Sequence, residues 1–205
     1  METTVFLLAG GQSTRMGMNK ALLEVDGKTM LERLKDEFQP LTSKMVLLTG
    51  SHSYSMDLPQ LPDDASFRGC GPLAGIYTGL LHSDTKMNLF VACDMPFASR
   101  RIGKWMIDEL AKTDQDAIIP MTDGILHPLF AVYKTSAKEA AKIQLKRKQY
   151  RLKEFLRLLD MKIVAEHDVP DALKAEYANA FWNMNDPESF KVVKTKIKGM
   201  KSNDV

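Results

Sequence analysis

Val5-Phe6-Leu7-Leu8-Ala9 is an unbroken apolar run that ends on Gly10-Gly11. A run this short, stopped by glycine, predicts a strand buried on both faces with a loop after it. The next stretch is polar and punctuated by glycine as far as Gly27. Thr29 then stands three residues before Glu32, the spacing of a capping box, and Met30, Leu31 and Leu34 form an apolar stripe. A helix is predicted to start there and to stop by Pro40, and Met45-Val46-Leu47-Leu48 reads as a second strand. From Ser51 to Gly71 the chain is rich in Ser, Pro, Asp and Gly without a sustained period, which predicts a long loop of the kind that often carries function.

The strongest helical period follows, with Leu73, Ile76, Tyr77, Leu80 and Leu81 on one face. Leu89-Phe90-Val91-Ala92-Cys93 predicts a third strand, stopped by Asp94-Met95-Pro96. Ser99 is placed to cap a helix through Ile102, Trp105, Met106 and Leu110. Ala117-Ile118-Ile119-Pro120 and Leu129-Phe130-Ala131-Val132-Tyr133 predict strands on either side of an Asp123-Gly124 turn. Thr135 to about Leu159 reads as helical and basic, Ile163-Val164-Ala165 as a strand, and Asp186-Pro187 as the opening of a last helix. No repeat, low-complexity tract or linker interrupts the chain, so residues 1–205 are predicted to form a single domain with a frayed tail from Lys198 to Val205. Strands that alternate with helices predict an α/β sheet covered on both faces, with ligands at the carboxyl ends of the strands.

Composition narrows the function classes. With 205 residues, 44% hydrophobic and 26% charged, the chain can build its own core, which excludes a disordered, collagen-like or disulfide-stapled class. The 28 Lys+Arg against 26 Asp+Glu leave a net charge of +2, too balanced for a bulk-electrostatic binder of nucleic acid or of a membrane surface. Any anion must therefore be held locally. Cys70 and Cys93 make neither a disulfide framework nor a metal-ligand spacing, and they read as reduced thiols of a cytoplasmic protein. The first apolar run is too short for a signal peptide, and no stretch reaches the ~18 apolar residues of a membrane span. Neither nucleic acid nor membrane is an expected partner.

Candidate chemistry sits in the loops that follow the buried strands. In the segment Leu8 to Lys20, Gly10, Gly11 and Gly17 let backbone N–H groups approach a phosphate, and Arg15 and Lys20 add charge. The plainer alternative is a glycine-rich turn with two solvated cations; position directly after a buried strand favours the ligand site. The segment is neither a Walker A loop nor a dinucleotide fingerprint, which disfavours hydride transfer. Asp94 ends an apolar strand beside Pro96, where a carboxylate can hold a hard divalent cation that also touches substrate phosphates, or can simply cap a turn. Gly71-Pro72-Leu73-Ala74-Gly75 opens the most periodic helix, either as a good helix start or as a helix amino end facing a polar ligand. His127 is by default a satisfied packing residue. The cations Lys142, Lys146, Arg147, Lys148, Arg151 and Lys153 are by default a solvated face, with a phosphorylated ligand or an acidic partner protein as the functional alternative.

The run from Leu8 to Lys20 resembles the signature of the nucleotidyltransferases that activate metabolites with nucleoside triphosphates, and its Leu-Ala-Gly-Gly opening is most similar to the molybdenum cofactor guanylyltransferases. Asp94-Met95-Pro96-Phe97 resembles that family's metal-binding loop, and Gly71 to Gly75 the start of its nucleotide-contacting helix. Ahead of that helix the family carries an Asp near the nucleotide, a place that Asp63 or its neighbour Asp64 fills. Asn183-Met184-Asn185-Asp186-Pro187 is similar to the family's carboxy-terminal Asn-x-Asn element. Here Glu188-Ser189-Phe190 follows the proline where the family usually has an Asp, a departure that bears on the local helix cap.

The resemblance implies a Rossmann-like three-layer α/β/α nucleotidyltransferase fold with a mostly parallel sheet. It further implies Mg²⁺-dependent transfer of GMP from GTP to the phosphate of Mo-molybdopterin, with release of pyrophosphate. Arg15, Lys20 and Asp94 would be catalytic, with Asp94 the metal ligand. Leu8, Ala9, Gly10, Gly11, Lys20, Asp63, Asp94, Asn183 and Asn185 would bind the substrates. The His127 region would be pocket wall, and molybdenum-insertion proteins or an apo-molybdoenzyme would be partners. A CTP-dependent counterpart, another small-metabolite nucleotidyltransferase, and a nucleotide-binding regulatory domain are the alternatives.

Overall fold

The computed structural model describes residues 2–10 and 19–202. In chain order the elements are β1 (Thr3–Leu8), β2 (Glu24–Val25), β3 (Lys28–Thr29), α1 (Met30–Phe38), β4 (Lys44–Gly50), β5 (Gln60–Pro62), α2 (Pro72–His82), β6 (Met87–Ala92) and α3 (Arg100–Ala111). There follow β7 (Ala117–Thr122), β8 (Ile125–Leu126), β9 (Phe130–Lys134), α4 (Lys138–Lys146), α5 (Leu152–Leu156), β10 (Met161–Val164), α6 (Asp171–Ala180) and α7 (Pro187–Ser202).

The main sheet runs β10-β7-β9-β6-β1-β4-β5, with β8 on β7. The β6-β1-β4-β5 side and the β10-β7 pair are parallel, and β9 runs antiparallel to both β6 and β7. Alternation along the buried strands splits the core into two layers. Val5, Leu7, Leu89, Val91, Phe130 and Val132 face α1, α3 and α6. Phe6, Phe90, Ala131 and Tyr133 face α2, α4 and α5. Because both faces are covered, the strands read in the sequence as continuous apolar runs. A third, smaller cluster packs Val193 and Ile197 of α7 against Leu23, Val25 and Met30, so the chain's last helix closes over the β2-β3 hairpin.

The helix starts read from the sequence are present. Thr29 Oγ1 accepts the Glu32 N–H at 3.2 Å while a Glu32 carboxylate oxygen accepts the Thr29 N–H at 2.7 Å, a complete capping box. Ser99 Oγ accepts the Arg101 N–H, and Pro187 opens α7. Asp123 and Gly124 take φ of +51° and +75° at the β7-β8 turn.

Several expectations are corrected. The segment Ser51 to Gly71 is not all loop: β5 adds a parallel edge strand to β4. The basic stretch is two helices, α4 and α5, separated where Lys148 takes φ +58° and the Gln149 N–H turns back to the Gln144 carbonyl. The strand near its end is Met161–Val164 rather than 163–165, and α6, which has no counterpart in the sequence reading, follows it. Of the tail expected to fray from Lys198 to Val205, residues 198–202 continue α7, and residues 203–205 lie outside the described residues.

Candidate functional site

The carboxyl ends of β6, β1 and β4 are tied in one row. Leu8 O accepts the Cys93 N–H at 3.0 Å, and Leu48 O accepts the Ala9 N–H at 2.9 Å. Beyond them Gly10 lies directly against Gly50: a Cβ on Gly10 would stand 2.8 Å from Gly50 Cα and N. Tyr54 then joins the two ends of the segment that links β1 to Lys20. Its hydroxyl donates to Ala9 O at 2.7 Å and accepts from Asn19 Nδ2 at 3.0 Å. Asn19 Oδ1 also accepts the Ala21 N–H and so caps the short 3-10 turn that carries Lys20.

Lys20 meets Asn185 and Asp94, residues that the sequence also singles out. Its Nζ donates to Asn185 Oδ1 at 2.9 Å and lies 3.5 Å from Asp94 Oδ2. Asp94 in turn accepts the Met184 N–H on its backbone carbonyl at 2.8 Å, which brings the Asn-x-Asn element to the end of β6. Burial raises the Asp94 carboxyl above its ordinary range, and the charge and hydrogen bond of Lys20 only partly oppose this. Its neighbour Cys93 is buried and has its thiol pushed up to about 12, so it stays protonated and is no nucleophile.

These groups line a cavity of about 810 Å³. Leu8, Ala9, Gly10, Lys20, Asp63, Asp94 and Asn185 all face it. The structure separates the two neighbouring aspartates. Asp63 lines the cavity, where burial raises its carboxyl against the opposing effects of the Gly69 N–H and the Arg68 charge. The Asp64 side chain instead accepts the Ser66 N–H at 2.9 Å and caps a 3-10 turn. Asn183 is half-buried and does not line the cavity. Gly11 and Arg15 lie outside the described residues.

His127 has the satisfied role expected by default. Its Nε2 is 2.6 Å from Thr122 Oγ1, its ring stacks on Phe181, and burial lowers its pKa. Leu129 reaches the cavity from the same segment. The departure after Pro187 leaves the last helix sharply capped: Ser189 Oγ accepts the N–H groups of Asn185 and Asp186, and Asp186 Oδ1 accepts the Ser189 N–H. The sequence reading missed Arg68, Gly50 and Tyr54 as parts of the site. A glycine closing the second strand was the one available signal for Gly50, and the other two sit in the aperiodic segment.

Among the described residues, no three His, Cys, Asp or Glu side chains gather as a metal cage. A half-buried carboxylate at a strand end, Asp94, nonetheless suits Mg²⁺, which takes one or two protein carboxylates and fills its remaining positions with water and substrate phosphates.

Residues 5–167 match the family described as MobA-like NTP transferase domain. The chain belongs to that family. Among relatives of this MobA-like chain, a "Probable molybdenum cofactor guanylyltransferase" of Natranaerobius thermophilus is 32% identical over 186 residues, covering 89% of this chain and 90% of that protein. One of the same name from Pelotomaculum thermopropionicum is 30% identical over 199 residues, covering 96% and 93%. Molybdopterin-guanine dinucleotide biosynthesis protein A from Archaeoglobus fulgidus has the same fold, with a TM-score of 0.84 at 23% identity over 96% of this chain and 99% of that one. The 2-C-methyl-D-erythritol 4-phosphate cytidylyltransferase of Thermus thermophilus shares it at a TM-score of 0.69 and 15% identity, over 97% and 100%. The MobA-like match ends before Asn183 and Asn185, so Asn185 enters the site from outside the matched span. No helix among the described residues is long and apolar enough to cross a membrane.

Proposed function

We propose that this MobA-like transferase moves GMP from GTP onto the phosphate of Mo-molybdopterin, giving the molybdopterin guanine dinucleotide cofactor and pyrophosphate. The names of its relatives point to this substrate pair. The observation that carries the reading is the Lys20 ammonium beside Asp94 and Asn185, at the strand ends and in one cavity with the backbone of Gly10.

Transfer between two polyanions is a problem of positioning and charge neutralisation. The molybdopterin phosphate needs no general base, because with a second pKa of about 6 it is already largely ionised at neutral pH. It attacks the α-phosphorus in line with the departing pyrophosphate. The Gly10 backbone lies close to the triphosphate because no side chain intervenes, and Gly11 is assigned to the same cradle from the sequence. Lys20 offsets charge on the transferring group, and Arg15 adds a second cation. Asn185 Oδ1 accepts from Lys20, which leaves its amide nitrogen to donate to the acceptor substrate. Asn183 is half-buried and does not line the cavity, so no substrate contact is assigned to it. Asp94 would hold Mg²⁺, whose contribution is to neutralise charge on the transferring and leaving oxygens. Asp63 accepts donors of the base.

The test is pyrophosphate release. It should require GTP, Mg²⁺ and molybdenum-loaded molybdopterin together. Binding of GTP with no pyrophosphate in the presence of authentic acceptor would instead mark a nucleotide-binding regulatory protein.

A further inference from the structure

The cavity has two chemically different ends, and the strand order sets them apart. Its floor crosses the carboxyl ends of β6, β1, β4 and β5 in turn. Asp94 follows β6 and Asp63 follows β5, so the two carboxylates are separated by three strand spacings, about 14 Å. Lys20, Asp94 and Asn185 form the phosphate end. A nucleotide with its α-phosphate there and its sugar over Gly10 carries its base toward β5.

The wall at the β5 end is a single loop whose shape is fixed at several points. The Asp63 N–H donates to Gly50 O at 3.1 Å, and the Asp64 N–H donates to Thr78 Oγ1 at 2.9 Å. Gly69 and Gly71 take φ of +75° and +76°, a backbone path that side-chain-bearing residues rarely follow, and the Gly69 N–H points back at the Asp63 carboxylate. Between these fixed points Arg68 is exposed and lines the same cavity as Asp63. Its charge is felt at Asp63, yet no ion pair joins the two. A carboxylate and a guanidinium fork with no hydrogen bond or ion pair among the described residues thus share one cavity wall.

That pair matches one base. Guanine presents O6 and N7 as adjacent acceptors and carries donors on N1 and N2, whereas adenine and cytosine each place an amino donor where guanine has O6. A planar guanidinium meets O6 and N7 bidentately, and a carboxylate accepts from N1–H and the N2 amino group. We propose that Arg68 is a specificity-determining residue of this enzyme, reading the O6/N7 edge of the purine while Asp63 takes its N1–H and N2 donors. The assignment rests on the guanylyl-transfer reading and names the side chain that enforces it.

Equilibrium binding to the full chain with Mg²⁺ tests both, using GTP, CTP and 7-deaza-GTP, which lacks only the N7 acceptor. The wild type should prefer GTP to CTP, and should bind GTP several-fold more tightly than 7-deaza-GTP. Arg68→Ala should weaken GTP roughly 5- to 150-fold, the worth of one bidentate base contact, and bring GTP and 7-deaza-GTP to the same Kd. Arg68→Lys keeps the charge without the planar fork and should narrow the discrimination between the two without abolishing it. If Arg68→Ala weakens both nucleotides by one factor and the discrimination survives, Arg68 contacts phosphate or ribose and the assignment is overturned. A wild-type chain that binds CTP as tightly as GTP overturns the guanylyl reading itself, and this assignment with it.

Discussion

Gly10 and Gly50 meet backbone to backbone where β1 and β4 end, with no room for a methyl group on either. The contact sets the floor of the cavity between the phosphate end and the base end. Gly10→Ala should therefore destabilise the fold by about 1–3 kcal/mol, the usual scale of overpacking, and should weaken GTP binding as well. Gly50→Ala should cost more, because Gly50 also sits at φ +63°. Urea unfolding of the two variants, with the nucleotide affinity measured alongside, checks both effects.

Lys20→Ala removes the ammonium shared by Asp94 and Asn185. Turnover should fall on the order of 10²- to 10³-fold, the scale seen when one preorganised charge-stabilising donor is lost. The unfolding midpoint should change far less than the rate. Steady-state pyrophosphate release beside a thermal melt separates these outcomes.

Asp94 links activity to stability with a definite sign. Its carboxyl is raised in the folded chain by burial, so the folded state binds that proton more tightly than the unfolded state does. The ionised carboxylate consequently costs stability at neutral pH, and the cost is relieved as pH falls through the raised folded pKa. Asp94→Asn should melt higher than wild type near pH 7, lose nearly all turnover, and give back its advantage as the pH is lowered. Melting curves of both chains across pH decide the sign: an advantage of the variant that grows toward acid pH would contradict it.

Asp63 and Asp64 should separate by kind of effect. Asp63→Asn should weaken GTP by roughly 5- to 150-fold with little change in stability, since its carboxylate faces the cavity. Asp64→Ala removes the acceptor for the Ser66 N–H and should cost about 1 kcal/mol of stability, with a smaller effect on affinity. Nucleotide titrations and unfolding curves of the pair distinguish binding residue from cap.

Much of this layout is legible in the sequence for local reasons. Thr29 with Glu32, Ser99 and Pro187 announce their helices because capping is a matter of a few adjacent residues. Lys20 and Asp94 stand out because each follows a buried strand. What escapes depends on distant partners. β5 is three residues long with a proline at its end, and becomes a strand only by pairing with β4. The break between α4 and α5 carries neither Gly nor Pro; Gln144, whose Nε2 donates to Glu154 O across the break, helps hold the turn. α6 follows Pro170 with Leu173, Tyr177 and Ala180 at helical spacing, a weak stripe that packing against α3 makes decisive. Arg68 sits in an aperiodic stretch and gains meaning only from the cavity it faces. Asn185 reaches Lys20 across the length of the chain because the Met184 N–H bonds to Asp94 O.

The most direct measurement is transfer of a labelled α-phosphate. GTP and CTP, each labelled at that position, are offered in turn with Mg²⁺ and molybdenum-loaded molybdopterin. Label should pass from GTP into a pterin dinucleotide in step with pyrophosphate release, and the transfer should fall on the order of 10²- to 10³-fold in Lys20→Ala and be nearly lost in Asp94→Asn. Label that passes from CTP in preference to GTP, or full transfer by either variant, would contradict the proposed site.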